Sequence, residues 1–241
     1  LTYNIKKMKN IEKTKIKQVT EVFNDVFDKY DLMNDIMSLG IHRLWKRRFI
    51  DWMNPKKEDH LLDMASGTGD IAKAFLKRTE FSGKLTCVEP NKLMLELGKK
   101  KLKNLGKIEW HCSPAEKLPF KNDTFDLYSV SFGLRNFSNI NLSLKEAKRV
   151  LKSGGRMLCL EFSQIDNEML NKIYKIYSKS IPHIGEYITG KSEPYEYLIK
   201  SIDKFYNQNE LSEIFKANGF DKVEYRNLSG GIVAIHSGWK I

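Results

Sequence analysis

From His60 onward, short runs suited to strands alternate with longer runs of helical spacing, and this alternation limits the fold more than any other feature. The strand-like runs are HLLDM, KLTCVE, IEWHC, FDLYSVSF and RMLCLEF, with helical stretches near 69–79, 91–104 and 141–151 between most of them. Strands joined through helices by short links form a parallel sheet covered on both faces. A helix over 208–218 precedes two last strand-like runs, KVEYRNL and GIVAIHSGW. NLSGG between them has hairpin-turn chemistry, which closes the sheet with an antiparallel pair. The expected architecture is α/β, with seven strands that are mostly parallel.

Helical spacing also precedes the sheet. Val19, Val22, Phe23, Val26 and Phe27 fall at i, i+3, i+4, i+7 and i+8, one face of a helix. A second helix is read over 31–39, ending near Gly40, and a third from His42 to Met53, stopping before Pro55. In YDLMNDIMSLGIHRLW (30–45), Tyr30, Asn34, Ser38, Ile41 and Trp45 would share one stripe of an unbroken helix. Gly40 is expected to break it into two short helices that form the front wall of a pocket. Residues 164–204 interrupt the strand–helix rhythm with a helical insertion after the fifth strand. Its apolar face is read as Ile173, Tyr174, Ile176, Tyr177 and Ile181, followed by loops around Pro182, Gly185, Gly190 and Pro194. An insertion so placed caps a pocket. No repeat or second domain is visible: 1–15 reads as a flexible lead-in and 16–241 as one domain. That domain comprises N-terminal helices over 16–54 and the cap over 164–204.

Forty-one Lys and Arg against thirty Asp and Glu leave a formal charge of +11. Such an excess can serve RNA, an anionic membrane surface or a phosphate-rich ligand, and it also arises with no acidic partner. The three cysteines, Cys87, Cys112 and Cys159, make no CxxC and suit a reducing compartment. Cys87 and Cys159 fall in apolar runs as small core residues. The five histidines show no metal-ligand spacing, so no metal is expected. No run reaches the ~20 apolar residues of a membrane helix. LTYNIKKMKNIEKTKIKQ has neither a signal-peptide core nor a transit-peptide bias, and the start at Leu1 leaves room for an upstream segment.

The chemistry centres on LLDMASGTGD (61–70), running from strand to helix. Gly67 and Gly69 permit a tight turn and the approach of a ligand to bare backbone, at the carboxyl end of the first strand. Gly67-x-Gly69-x-x-Ala72 satisfies a loose dinucleotide fingerprint. Asp63, just before the turn, would repel a pyrophosphate and instead suits the amino group of S-adenosylmethionine. Glu89 ends the second strand, 20 residues beyond Gly69, where an acid accepts from ribose hydroxyls. SPAEKLPF (113–120) follows the third strand, where its backbone and Ala115 could frame an adenine, and Ser131 ends the fourth strand over the same crevice.

Together, YDLMNDIMSLGIHRLW, LLDMASGTGD, SFGLRNF (131–137), RVLKSGGRMLCLEFS (149–163) and EPYEYLIKSIDKF (193–205) resemble the ubiquinone/menaquinone biosynthesis C-methyltransferases of the UbiE type. The likeness runs from about Val22 to Lys240. It implies a Rossmann-like class I methyltransferase fold and S-adenosylmethionine as co-substrate, with no metal. Carried over residue by residue, Thr68, Glu89, Pro114, Ala115 and Ser131 would contact that co-substrate, beside Asp63, Gly67 and Gly69 of the turn. Three positions depart from the family's usual residues. Glu89 replaces a more frequent Asp, Pro114 an Asn or Asp, and Ser153 a Pro or Val.

The resemblance implies methyl transfer to a ring carbon of a polyprenylated quinol, either 2-polyprenyl-6-methoxy-1,4-benzoquinol or demethylmenaquinol. Carbon becomes nucleophilic enough only when a neighbouring phenol ionises, so the site must receive that proton and align the reactants. Arg135 is read as stabilising the phenolate or orienting a water, Asn136 as positioning the ring, and Tyr30 as a hydrogen-bond partner. Arg ionises above ~12 and is a poor direct base. His42 has a suitable ordinary pKa, although a lone histidine more often serves structure. The resemblance also implies a cytoplasmic protein held peripherally at the inner membrane (on the matrix side in mitochondria), through basic side chains facing anionic lipid. It allows a homodimer or a quinone-biosynthesis complex, and no nucleic-acid partner. Two rival readings are a methyltransferase acting on RNA or another small molecule, and a non-catalytic organising subunit. RNA would require a concentrated basic, aromatic strip, which the sequence lacks.

Overall fold

The computed structural model describes residues 14, 15, 17, 19–22, 24, 30–165 and 167–241, the side chains of Tyr30 and Asp31 excepted. Seven strands form one sheet: β1 (His60–Met64), β2 (Lys84–Val88), β3 (Ile108–His111), β4 (Phe125–Ser131), β5 (Leu151–Phe162), β6 (Asp221–Leu228) and β7 (Val233–Trp239). Their order is β3-β2-β1-β4-β5-β7-β6. The first five run parallel, while β7 pairs antiparallel with both β5 and β6. Successive residues of β1 show why both faces must be covered. Leu61 joins a core with Trp45, Phe49 and Leu158, whereas Leu62 joins another with Tyr128, Leu144 and Phe215. Alternate side chains of a strand point to opposite faces, so two cores result.

From Tyr30 onward, the α-helices among the described residues are α1 (Tyr30–Ser38), α2 (His42–Met53), α3 (Asp70–Arg78), α4 (Lys92–Leu102), α5 (Ile140–Val150), α6 (Glu168–Thr189), α7 (Glu193–Asp203) and α8 (Gln208–Ala217). The break between α1 and α2 falls where the glycine predicts it. Leu39 and Gly40 take positive φ values of 49° and 77°, and Trp45 then donates to Ser229 Oγ at 2.8 Å, tying α2 to the β6–β7 turn. Thr14 and Lys15, at the end of the expected lead-in, are helical, and Lys15 Nζ donates to the Phe137 carbonyl at 2.5 Å. Val19 and Val22 are helical as well, whereas Phe23, Val26 and Phe27 lie outside the described residues.

Two expectations require correction. The fifth strand, read as RMLCLEF from Arg156, begins earlier: β5 starts at Leu151 and carries Gly154 and Gly155 within it, because Gly154 N–H donates to Lys240 O and Lys240 N–H to Gly155 O. The insertion contains no loop at Pro182 or Gly185, both of which lie inside α6. Gly185 serves close packing there: a Cβ would sit 2.3 Å from the Tyr195 ring of α7. The inward face of α6 carries Tyr177, Ser178 and Ile181, whereas Ile173 and Ile176 face outward. Tyr177 donates from its hydroxyl to the Ile36 carbonyl, joining α6 to α1.

Candidate active site

The strand order reverses between β1 and β4, so a crevice opens at their carboxyl ends, where open α/β sheets bind ligands. The turn after β1 is made by residues at positive φ: Ala65 at 52°, Gly67 at 54° and Gly69 at 86°. Its packing is tight. A Cβ on Gly69 would meet Leu102 Cδ1 at 2.4 Å, and one on Gly98 of α4 would meet the Gly67 carbonyl at 2.8 Å. Glu89, the residue just after β2, holds the turn. Its two carboxylate oxygens accept from Gly67 N–H and Asn91 N–H, each at 2.9 Å.

The electrostatics of the crevice are unusual. Asp63 is 1% exposed, and its Oδ1 accepts from Ser129 Oγ at 2.7 Å. Its Oδ2 is buried with no hydrogen-bond partner among the described residues, and so is Ser131 Oγ. Burial pushes the Asp63 and Glu89 carboxyls up to about 7, since ionisation in a dry site costs solvation. Burial acts in the same sense on Asp70, but the Lys46 and Lys101 ammoniums prevail and hold it at about 2. Lys46 Nζ donates to Asp70 Oδ2 at 2.7 Å. This group lies beside Asp63, Gly67, Thr68 and Ser131 in a small cleft.

The larger cavity measures about 350 Å³ and is lined by Gly67, Glu89, Met94, Pro114, Ala115 and Ser131, among others. A volume of that order suits a nucleoside-sized ligand. An unpartnered buried carboxylate oxygen fits an ammonium, and Glu89 beside open space keeps lone pairs for hydroxyls. The crevice therefore suits a ligand that is cationic at one end and carries a nucleoside at the other.

A second, narrower cavity lies against the first. Phe132 and Asn136 line both, and Arg135, His42, Tyr197 and Lys46 line the second. Its space is about 30 Å³, on the scale of a single water, so a ring enters only as the lining moves. Met33 and Met37 on its α1 wall are unbranched and adaptable enough to yield.

A 3₁₀ turn, Leu134–Asn136, presents Arg135 and Asn136 just beyond β4. Arg135 Nη1 donates to Glu161 Oε1 and to the Phe132 carbonyl, both at 2.7 Å, and Nε donates to Ser201 Oγ at 3.3 Å. Tyr197 on α7 donates to Asn136 Oδ1 at 3.0 Å, so the cap reaches the site directly. Apart from Tyr30, every expected site residue lies along these two cavities, along the cleft at the glycine turn or in the turn itself. For Tyr30 only its position at the start of α1 is described.

Sequence reasoning missed Lys46, Met94, Glu161 and Tyr197. Glu161 could have been found as a lone acid in the apolar run MLCLEF, where burial demands a partner. Nothing local marks Lys46, one of several basic residues on α2.

A model of the ubiE/COQ5 methyltransferase family matches residues 8–240. A ubiquinone/menaquinone biosynthesis C-methyltransferase UbiE of Rickettsia bellii is 46% identical over 246 residues, covering 99% of this chain and 98% of that protein. The proteins of the same name from Ruegeria sp. and Agrobacterium fabrum are 47% and 46% identical, covering 95% and 92% of this chain and 93% and 88% of theirs. Among solved structures, a SAM-dependent methyltransferase of Thermotoga maritima superposes with a TM-score of 0.65 at 20% identity, over 92% of this chain and 99% of that one. A Haemonchus contortus phosphoethanolamine N-methyltransferase gives a TM-score of 0.59 at 13% identity, covering 81% of this chain and 52% of that one. These two likenesses speak for the Rossmann-like fold alone. Family match and near-full-length relatives agree: the chain belongs to the ubiE/COQ5 methyltransferase family and is a SAM-dependent C-methyltransferase.

Proposed function

We propose that the chain methylates a ring carbon of a polyprenylated quinol in ubiquinone or menaquinone biosynthesis, the acceptor being 2-polyprenyl-6-methoxy-1,4-benzoquinol, demethylmenaquinol or both. The observation that carries this reading is the contact between the two cavities. Phe132 and Asn136 line both, so a ring held beside Arg135 lies next to whatever fills the glycine-turn crevice. When bound, S-adenosylmethionine supplies an activated methyl group on a sulfonium.

In this reading Asp63 takes the amino group on its unpartnered Oδ2, and Lys46 faces the carboxylate at the same end. Glu89 accepts from the ribose hydroxyls, while Pro114 and Ala115 flank the adenine. Pro114 has no N–H to donate, so its contact is through its ring or carbonyl. Gly67, Thr68, Gly69 and Ser131 complete the cradle. Arg135, held in place by Glu161, stabilises negative charge on the phenol oxygen as its proton leaves, and Asn136, itself steadied by Tyr197, orients the ring.

A quinol with a long tail resides in the bilayer, and the outer face of α6 suits contact with it. Met169, Ile173, Ile176 and Tyr187 on that helix are 71%, 58%, 73% and 92% exposed. Exposed Lys172, Lys175 and Lys179 lie beside them. Apolar side chains rimmed by lysines are the pattern of a helix lying in an anionic membrane interface. Among the described residues no helix is long and apolar enough to cross a membrane. The enzyme would then work at the cytoplasmic face of the inner membrane. Flotation should require anionic lipid and weaken when Ile173 and Ile176 become Ser; flotation insensitive to both would remove this face from membrane contact. The quinol reading itself is tested by mass spectrometry of a strain lacking this enzyme, which should accumulate quinones one ring methyl short. A normal quinone pool would refute it.

A further inference from the structure

We infer that His42 is the base that takes the phenolic proton of the quinol, and that Ser38 and Asp35 set it up for that task. The inference rests on the quinol reading and assigns a step that Arg135, a permanent cation, cannot perform. His42 lines the same cavity as Arg135 and Asn136.

The hydrogen bonds around it select one tautomer. Ser38 Oγ has a single proton and donates it to the Asn34 carbonyl at 2.7 Å. The same oxygen accepts from the His42 backbone N–H at 3.2 Å and lies 2.9 Å from Nδ1. With its proton already committed, Ser38 can only accept from Nδ1–H. The neutral ring therefore carries its proton on Nδ1 and its lone pair on Nε2, the nitrogen left for the cavity. That is the form a base requires.

The surroundings also prepare for the charge that follows. Asp35 Oδ1 is buried with no hydrogen-bond partner among the described residues and lies 3.7 Å from Nδ1. Asp35 Oδ2 is held by Arg43 at 2.7 Å. Desolvation, followed by the Lys46 charge, lowers the His42 pKa, against a smaller pull upward from Asp35 and Asp70. The ring is thus neutral near pH 7 and ready to accept. Among the described residues, the charged groups acting on it are Asp35 of α1, Arg43 and Lys46 of α2 and Asp70 of α3, and Arg135 of the 3₁₀ turn and Tyr197 of α7 line the same cavity.

In the step, Nε2 takes the phenolic proton as the oxygen's electron pair shifts density to the ring carbon. That carbon forms its bond to the methyl group, and the sulfur keeps the electron pair of the bond that breaks. The ring carbon then gives its hydrogen to water, and the oxygen regains a proton from Nε2. One proton leaves per turnover.

His42→Gln should lower kcat about 10²–10⁴-fold, with KM and S-adenosylmethionine affinity within threefold of the unsubstituted enzyme. It should also remove the acid limb of the kcat–pH profile. Asp35→Asn should move that limb to lower pH, because removing the anion makes the imidazolium easier to deprotonate. Nitrogen-15 NMR of the free enzyme should show His42 protonated on Nδ1. A His42→Gln enzyme with kcat within threefold and an unchanged acid limb would overturn the inference, and so would an Nε2–H tautomer or an Asp35→Asn limb that stays put. If His42→Gln fails to bind S-adenosylmethionine as a folded protein would, the other two results decide. Absence of turnover by the unsubstituted enzyme would count against the quinol reading, leaving the NMR result to judge the tautomer separately.

Discussion

The Arg135 guanidinium donates to the Glu161 carboxylate at 2.7 Å between two side chains that are 6% and 1% exposed. Glu161 Oε1 also accepts from Phe162 N–H at 3.0 Å, and the Phe162 ring lies 5.6 Å from the guanidinium carbon. Removing one partner of such a pair leaves an uncompensated buried charge, which costs about 3–5 kcal/mol. Glu161→Ala is expected to lose that much in a denaturant titration. The double variant Arg135→Ala/Glu161→Ala should lose less than the sum of the single losses, because the two residues share one interaction. Additive losses would mean that the pair is not coupled.

Asp63 offers a carboxylate oxygen that has no hydrogen-bond partner among the described residues. Asp63→Asn keeps the shape and the Ser129 contact but removes the negative charge. A hydrogen bond to a charged group contributes about 1.5–3 kcal/mol, so S-adenosylmethionine should bind roughly ten- to a hundredfold more weakly by calorimetry. A Kd within twofold of the original would take Asp63 out of the cofactor site.

The raised carboxyls give two pH dependences of opposite sense. Burial holds Asp63 and Glu89 at about 7, against an ordinary value of about 4. Between about pH 4 and 7 the folded chain binds more protons than the unfolded one, so this pair's contribution to stability falls as pH rises through that window and levels above it. A cationic ligand prefers the ionised carboxylates, so its affinity should strengthen from pH 6 to 8, with protons released on binding near pH 7. Calorimetry in buffers of differing ionisation enthalpy measures that release, which should shrink in Asp63→Asn. Proton uptake, or an affinity flat across this range, would contradict the assignment.

Much of this was legible from periodicity and turn chemistry. Leu61 and Leu62 belong to different cores because a strand alternates faces, and a run apolar on both faces already signals a buried parallel strand. Gly40 marks the bend between α1 and α2, since its positive φ favours a residue without a Cβ. The insertion was read less well. Pro182 and Gly185 look like breakers, yet one is absorbed within α6 and the other admits the Tyr195 ring, a tertiary contact invisible along the chain. The outward turn of Ile173 and Ile176 is not legible along the chain, because a helical stripe does not say which side the protein occupies. At the site, Gly67, Glu89 and Arg135 stood out by position. The Ser38–His42 hydrogen bond and the Glu161 partner depend on side chains meeting in space, and only the structure brings them together.

The most direct test supplies S-adenosylmethionine with a labelled methyl group and a reduced quinol lacking one ring methyl, then locates the label by mass spectrometry and NMR. The account predicts that the intact enzyme places the label on the ring carbon, whereas Arg135→Ala still binds S-adenosylmethionine but loses turnover. Label on oxygen, no transfer to the benzoquinol or the naphthoquinol, or full turnover by Arg135→Ala would contradict it.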